Sequence, residues 1–281
     1  GKNPVAALRQ KGFFPHNFFA NIYEARYVAG VVAGMKLNEM IQKGEVTKDK
    51  CKIGYVGAFP YAEVISGFTS FYLGVKSVCD SATMEVKYTN SWASFDLKKE
   101  CAEQLIADGC VLISQHADTT GAPTACETKK VPCVGYNIDM IPTAPDAALT
   151  SATINWGPYY TYAVQSVIEG TAIDTDWSKG VKDGADAITE LNDKTVAKGT
   201  KEKVEEAQKG IEDGTIHVFD TSKFTVGGKT LEELVESGDE DATKLQSYIK
   251  DGYFHESDVA GGMTSAPAFT FIIDGIDSIT K

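Results

Sequence analysis

The feature that most constrains the fold is an alternation of short apolar runs with segments of helical period between residues 51 and 155. The first unit joins the apolar run "CKIGYVGAF" (51–59) to "AEVISGFTSFYLGVKSV" (62–78), in which apolar residues recur at helical spacing. Strands that alternate with helices are typical of βαβ units, whose strands run parallel. The sequence therefore predicts an α/β protein with an open parallel sheet.

Further elements follow the same pattern. The runs "ATMEVKYTN", "CVLIS", "VPCVGYN" and "AALTSATIN" predict four more strands. A long helix is predicted over residues 17–44, before the first strand, and another over 157–170, after the last. Beyond residue 170 we predict a short strand in "GADAIT", an acidic helix over 203–214 and a hairpin turn at Gly227-Gly228.

Charge and composition exclude several classes of protein. The chain has 281 residues, 43% of them apolar, which is enough to bury a substantial core. With 27 basic and 39 acidic residues the net charge is −12, and no basic cluster is interleaved with aromatic residues, so nucleic acid is not an expected partner. No apolar run reaches the roughly 18 residues that span a bilayer. We therefore expect any export signal or membrane anchor to lie outside this chain.

The six cysteines show neither a CxxC motif nor an alternating Cys/His spacing, so we predict no metal site. They are interpreted as ordinary buried thiols, and a disulfide among them stays open. The histidines His16, His217 and His255 are scattered and are assigned to loops or the surface.

Polar and aromatic residues follow each predicted strand. Phe59, Trp92, residues 115–118 ("QHAD") and residues 137–139 ("NID") all stand at strand-to-helix junctions. The carboxyl ends of parallel strands meet at one edge of an open sheet, where ligands bind. The sequence therefore predicts a ligand site at this edge.

Ser114, His116 and Asp118 have the residue types of a hydrolytic triad. Side chains two apart on a strand are held about 6 to 7 Å apart at their bases, whereas a triad needs hydrogen bonds of about 3 Å. No G-x-S-x-G motif precedes a helix here. We therefore predict no catalytic residue and no enzyme. Capping of the next helix and lining of a ligand cleft remain as the two interpretations of residues 115–118.

A set of ordered motifs carries a family resemblance: "NFFANIYEARYVAGVVAG", "KIGYVGAFPYAEVISGFTSFYLGVKSV", "TNSW", "LISQHADTTGAPTACE", "GYNIDM" and "TSATINWGPYY". Together they resemble the basic membrane protein family of substrate-binding proteins, lipoproteins that serve ATP-binding-cassette importers and are associated with nucleosides and purine bases. The resemblance implies an α/β type I periplasmic-binding-protein fold, in which two Rossmann-like lobes with parallel sheets enclose a ligand cleft. It implies no cofactor.

The resemblance also implies a division of the chain. Lobe one would consist of residues 1–48 and 157–281, and lobe two of residues 51–155. The opening part of the family pattern, including an Asp-x-Ser-Phe-Asn-like segment that contributes to the ligand site, has no match here. We therefore expect lobe one to be incomplete at its N-terminal side, to expose apolar edges and to bind ligand weakly when alone.

Two aromatic residues and one acid are the first candidate ligand contacts. Phe59 and Trp92 could stack on a purine, although packing between the lobes is the competing interpretation. The resemblance assigns ribose hydroxyls to the acid at Asp139, because a carboxylate accepts two hydrogen bonds from a diol. The alternative for Asp139 is a turn residue that stabilises its own loop.

The remaining candidates are polar or aromatic residues at the same edge. His116, Asp118 and Asn137 are predicted to line the cleft. Many family members carry a lysine in the stretch where this chain has Asn155 and Trp156, which we take as substitute ligand contacts. A role for Asn155 as a hinge residue remains equally open.

The function expected from the resemblance is that of an extracytoplasmic solute-binding protein of an importer. It would bind a purine nucleoside or base, present it to a permease, and contact the membrane only through an N-terminal lipid anchor outside this chain. The alternative is a ligand-sensing or regulatory binding module on the same fold.

Overall fold

The computed structural model describes residues 16–259 and 261–279. In chain order its strands are β1 (Asn17–Phe18), β2 (Lys52–Gly57), β3 (Thr83–Tyr88), β4 (Leu112–Gln115), β5 (Cys133–Tyr136), β6 (Ala148–Ile154), β7 (Asp176–Trp177), β8 (Asp186–Ile188), β9 (Ile249–Lys250), β10 (Tyr253–Phe254) and β11 (Ile276–Ile279). Its α-helices are α1 (Ile22–Gln42), α2 (Ala62–Lys76), α3 (Phe95–Ala107), α4 (Gly121–Lys129), α5 (Gly157–Glu169), α6 (Thr200–Asp213), α7 (Leu231–Glu236) and α8 (Glu240–Lys244).

A seven-stranded sheet forms the centre, in the order β11-β3-β2-β4-β5-β6-β8. All neighbours in it are parallel except β8, which runs antiparallel to β6. The five strands predicted between residues 51 and 155 are the inner five of this sheet. Because β2 to β6 run parallel, their carboxyl ends meet at one edge, as the sequence predicted.

Helices cover both faces of the sheet. Alternate residues of β2 show this, since buried Tyr55 belongs to the core shared with α1 and α2, whereas buried Val56 packs with apolar residues of α3 and α4. Side chains on both faces of this strand are therefore buried, which accounts for its continuous apolar run. All six cysteines are free thiols.

Two glycines let α1 and α2 cross at close range. A methyl group placed on Gly30 would lie 2.1 Å from the carbonyl oxygen of Phe71, and one placed on Gly74 would lie 2.0 Å from that of Tyr27. Neither position has room for a side chain. Helix α1 also packs on β6 and β8.

The sequence analysis placed α1 and β11 in lobe one. In the structure α1 packs on α2 and β11 pairs with β3, so both contact elements of residues 51–155. The division into two lobes stays a prediction.

The structure also tests the predicted start of the first helix and the predicted hairpin turn. The helix predicted over 17–44 begins at residue 22, because residues 17–18 pair in parallel with β7. The hairpin turn at Gly227-Gly228 is confirmed: both glycines have positive φ, of 58° and 80°, and Val226 bridges Lys229. Among the described residues, no helix has both the length and the apolar character needed to cross a bilayer.

Candidate functional site

A cleft of about 480 Å³ opens at the carboxyl edge of the sheet. It is lined by Phe18, Phe19, Ala20, Glu63, Trp92, Asp118, Tyr136, Asn137, Ile154 and Trp156. Trp92, Asp118 and Asn137 follow β3, β4 and β5, and Ile154 is the last residue of β6. Four of the eight predicted site residues, Trp92, Asp118, Asn137 and Trp156, therefore line one cleft.

Hydrogen bonds connect the loops that carry these residues. The side-chain amide of Asn137 donates to Oδ1 of Asp118 at 2.9 Å, and the backbone N–H of Asp118 donates to the carbonyl of Trp92 at 3.0 Å. Asn137 has a φ of 67°, a left-handed conformation that asparagine tolerates better than most residues. These bonds hold Trp92, Asp118 and Asn137 in fixed relative positions.

Phe59 supports the cleft from behind Trp92. Its ring stacks on that of Tyr61, with centroids 5.0 Å apart and an angle of 8° between the planes, and lies 5.9 Å from the ring of Trp92. Phe59 is outside the cleft lining. One face of the Phe59 ring is covered by Tyr61, and of the two predicted stacking residues only Trp92 lines the cleft.

His116 is fully buried beneath the cleft. Its ring packs edge-on against Trp92 and Tyr136, at centroid distances of 5.9 Å and 4.7 Å. Desolvation by burial, together with the charge of Arg26, lowers the pKa of His116 to about 4, so the imidazole is neutral at physiological pH. His116 lies outside the cleft lining and packs against two residues that belong to it, Trp92 and Tyr136.

Ser114, His116 and Asp118 do not form a hydrogen-bonded chain. The Ser114 hydroxyl and both ring nitrogens of His116 are buried without a hydrogen-bond partner in the described part of the structure. Asp118 instead accepts from Asn137. The geometry agrees with the prediction that these three residues are not a triad.

Asp139 and Asn155 lie outside the cleft lining in this conformation. The Asp139 carboxylate accepts a hydrogen bond from the backbone N–H of Ile141 at 2.9 Å, as a turn residue does. The Asn155 amide donates to the carbonyl of Gly184 at 2.8 Å, and its oxygen accepts from Gly157 N–H at 3.1 Å. Asp139 thus makes the contact expected of a turn residue, whereas the role of Asn155 as a hinge residue stays a prediction.

Glu63, in the first turn of α2, is a cleft residue that the sequence analysis missed. Its Oε1 lies 3.6 Å from Nε2 of His116, and its side chain is 31% exposed. Burial acts to raise the pKa of Glu63, but contact with His116 and the charge of Arg26 outweigh it, and the pKa lies below its usual value. The cleft therefore contains an ionised carboxylate.

Arg26 is the second residue that the sequence analysis missed. Its guanidinium donates to the Tyr55 hydroxyl at 2.6 Å and to the Gln115 carbonyl at 3.1 Å, and lies 4.1 Å from the centroid of the Tyr136 ring. Although Arg26 is only 1% exposed, its Nε and Nη2 have no hydrogen-bond partner among the described residues. A buried cation on α1 thus lies directly behind Tyr136, a residue of the cleft wall.

The fold is that of the periplasmic binding proteins. The structure resembles that of an ABC transporter solute-binding protein from Aeropyrum pernix with a TM-score of 0.61 at 18% identity, over 80% of this chain and 71% of that one. A solute-binding protein from Conexibacter woesei gives a TM-score of 0.51 at 18% identity, over 70% of this chain and 63% of that one. The predicted α/β periplasmic-binding-protein fold is confirmed.

The chain belongs to the Bmp family, described as ABC transporter substrate-binding protein PnrA-like, whose model matches residues 16–220. A purine-binding protein of Brucella abortus is 32% identical over 200 residues, which are 71% of this chain and 53% of that protein. A Haloferax volcanii protein, named as a proposed ABC transporter glucose-binding protein, is 31% identical over 74% of this chain and 50% of its own length. The chain thus spans about half the length of the curated relatives it matches.

Proposed function

We propose that this protein is the extracytoplasmic solute-binding component of an ABC importer and binds a purine nucleoside or base at the carboxyl edge of its sheet. The family and the purine-binding relative support this proposal. The observation that carries it is the composition of the cleft, in which the aromatic ring of Trp92 stands beside the hydrogen-bonded pair Asp118 and Asn137. Delivery of the ligand to a permease follows from the same proposal.

The chemistry of the cleft suits a flat heterocycle. Trp92 and Trp156 offer aromatic faces for offset stacking, and Asp118, Asn137 and Glu63 offer polar groups for its edge. A cleft of about 480 Å³ is also within the size range of small-molecule sites. In a protein that closes around its ligand, closure would exclude water from these contacts. We retain Asp139 as the proposed ribose contact, reached on closure.

Calorimetry with guanosine, inosine, adenosine, hypoxanthine and glucose tests the proposal. We expect the purines to bind with 1:1 stoichiometry and glucose to give no heat. Trp92→Ala should weaken the purines by about 1 kcal/mol, or about fivefold, because a stacking face is lost. Leu97→Ala, which truncates an exposed apolar residue on α3, is the control.

Heat with glucose alone would overturn the purine assignment and favour a sugar. Purine binding that is unchanged by Trp92→Ala would show that the ligand lies elsewhere on the protein.

A further inference from the structure

The charged side chains of the cleft lining are both hydrogen-bond acceptors. Among its lining residues, Glu63 and Asp118 carry carboxyl groups, and none is a lysine, arginine or histidine. Asn137 adds an amide that donates one of its two N–H groups to Asp118 and whose oxygen remains an acceptor. The lining side chains therefore favour a ligand that presents N–H donors.

Glu63 has acceptor positions free for a ligand. Its contact with His116 involves Oε1, and an ionised carboxylate has about four acceptor positions. Asp118, which is exposed, likewise has one oxygen engaged, by Asn137. Glu63 is partly exposed and lines the cleft, so a ligand can reach its remaining positions.

The surroundings of Glu63 stabilise its negative charge. The Arg26 guanidinium lies 4.1 Å from the centroid of the Tyr136 ring and has no carboxylate hydrogen bonded to it in the described part of the chain. Burial opposes ionisation of Glu63, but contact with His116 and the positive charge of Arg26 outweigh it and keep the pKa of Glu63 below its usual value. An ionised carboxylate accepts stronger hydrogen bonds than a neutral acid does.

We propose that Glu63 determines the base specificity of the site by accepting hydrogen bonds from a base that presents a ring N–H next to an exocyclic amino group, as guanine does. This proposal rests on the proposed function. The two adjacent donors of guanine match the two oxygens of one carboxylate. Adenine instead presents a ring nitrogen next to its amino group. The lone pair of that nitrogen would repel the negatively charged carboxylate. A site whose acceptors bind the donors of a ligand rejects an analogue that lacks those donors, because the acceptors of the protein are then buried without a partner.

The test compares four nucleosides on the full-length protein by calorimetry: guanosine, inosine, adenosine and 1-methylguanosine, which lacks the ring N–H donor. We expect guanosine to bind most tightly, inosine next, and adenosine and 1-methylguanosine at least about tenfold more weakly than guanosine. The comparison of guanosine with 1-methylguanosine needs no substitution in the protein, so it does not depend on the folding of a variant.

Glu63→Gln replaces the carboxylate by an amide of the same shape that offers both a donor and an acceptor. We expect the ratio of the association constants for guanosine and adenosine to fall to about one or below in this variant. Glu100→Gln, at an exposed position on α3, should leave this ratio unchanged. An unchanged melting temperature of Glu63→Gln will show that its fold is intact.

The outcomes separate the two proposals. If none of the four nucleosides binds, the proposed function fails. If all four bind with similar affinity, or if Glu63→Gln keeps the preference for guanosine, the purine site stands and the role of Glu63 is refuted.

Discussion

Asp118 and Asp139 differ in what their carboxylates already bind. Asp118 lines the cleft and accepts from Asn137, whereas Asp139 is exposed on the loop after β5 and accepts from the N–H of Ile141. The single bond from Ile141 leaves acceptor positions on Asp139 for a ribose. The two interpretations of Asp139 therefore make different predictions for a nucleoside and its free base.

If Asp139 binds the ribose, Asp139→Ala should weaken inosine by about 1.5 to 3 kcal/mol and hypoxanthine much less, because only the nucleoside carries the hydroxyl groups. Calorimetry with this pair of ligands measures the difference directly. Asp193→Ala, at an exposed position outside the cleft, is the control. Equal losses for inosine and hypoxanthine would assign Asp139 to its turn alone.

Glu256 is a buried carboxyl group remote from the cleft, with consequences for stability. Its Oε2 accepts from the backbone N–H groups of Ala268 and Phe269, at 3.0 Å and 2.7 Å. Burial nevertheless raises the pKa of Glu256 from 4.5 to about 7. The folded protein therefore binds a proton at Glu256 more tightly than the unfolded chain does. The stability that this proton contributes is lost as the pH rises from 4.5 to about 7.

Glu256→Gln should remove this dependence, because a neutral amide can still accept from both N–H groups. Between pH 5 and pH 8, we expect the free energy of unfolding of the wild type to fall by about 3 kcal/mol more than that of the variant. Urea unfolding at the two pH values measures this, with Glu100→Gln as control. If the variant shows the same pH dependence of stability as the wild type, Glu256 is not the group responsible for it.

At the scale of the elements, the crossing of α1 and α2 is the packing contact most sensitive to substitution. Gly74→Ala would bring a methyl group to 2.0 Å from the carbonyl oxygen of Tyr27, so the helices must separate. We expect a loss of about 1 to 3 kcal/mol in the free energy of unfolding. Gly157→Ala is the control, since its methyl group would meet only the side chain of Asn155, at 3.1 Å. Equal melting temperatures for the two variants would show that the crossing is less tight than described.

The strands and helices between residues 51 and 155 could be predicted because apolar runs alternate there with segments of helical period. Of the short strands, β8 was predicted in "GADAIT", but β1 and β11 were not. β1 has two residues and exists only because it pairs with β7, more than 150 positions away, and β11 likewise depends on β3. Local sequence carries no signal for such distant pairing.

The site residues divide in the same way. Trp92, Asp118 and Asn137 were predicted because they follow strands, and a parallel sheet brings strand ends together. Glu63 and Arg26 sit within helices, where a lone charged residue is ordinarily on the solvent side. The signal that could have found Arg26 is its position inside the apolar stretch "ARYVAGVVAG", where a charge needs a buried partner.

At the scale of the whole molecule, the central claim is that the ligand binds between Trp92 and the loops after β4 and β5. The chain has three tryptophans, and they report on different places. Trp92 and Trp156 line the cleft, whereas Trp177 is 8% exposed and lies outside the cleft lining. The ring of Trp177 packs on Phe18 of the lining, with centroids 5.2 Å apart, so the three indole N–H groups give two direct reporters and one that is a residue removed from the cleft.

The most direct test is an NMR titration of the three indole N–H signals with guanosine. We predict that the signals of Trp92 and Trp156 shift with one common dissociation constant while that of Trp177 shifts less. Glucose at the same concentrations should move none of them. A guanosine titration that leaves Trp92 unmoved, or that shifts Trp177 alone, would contradict the placement of the site.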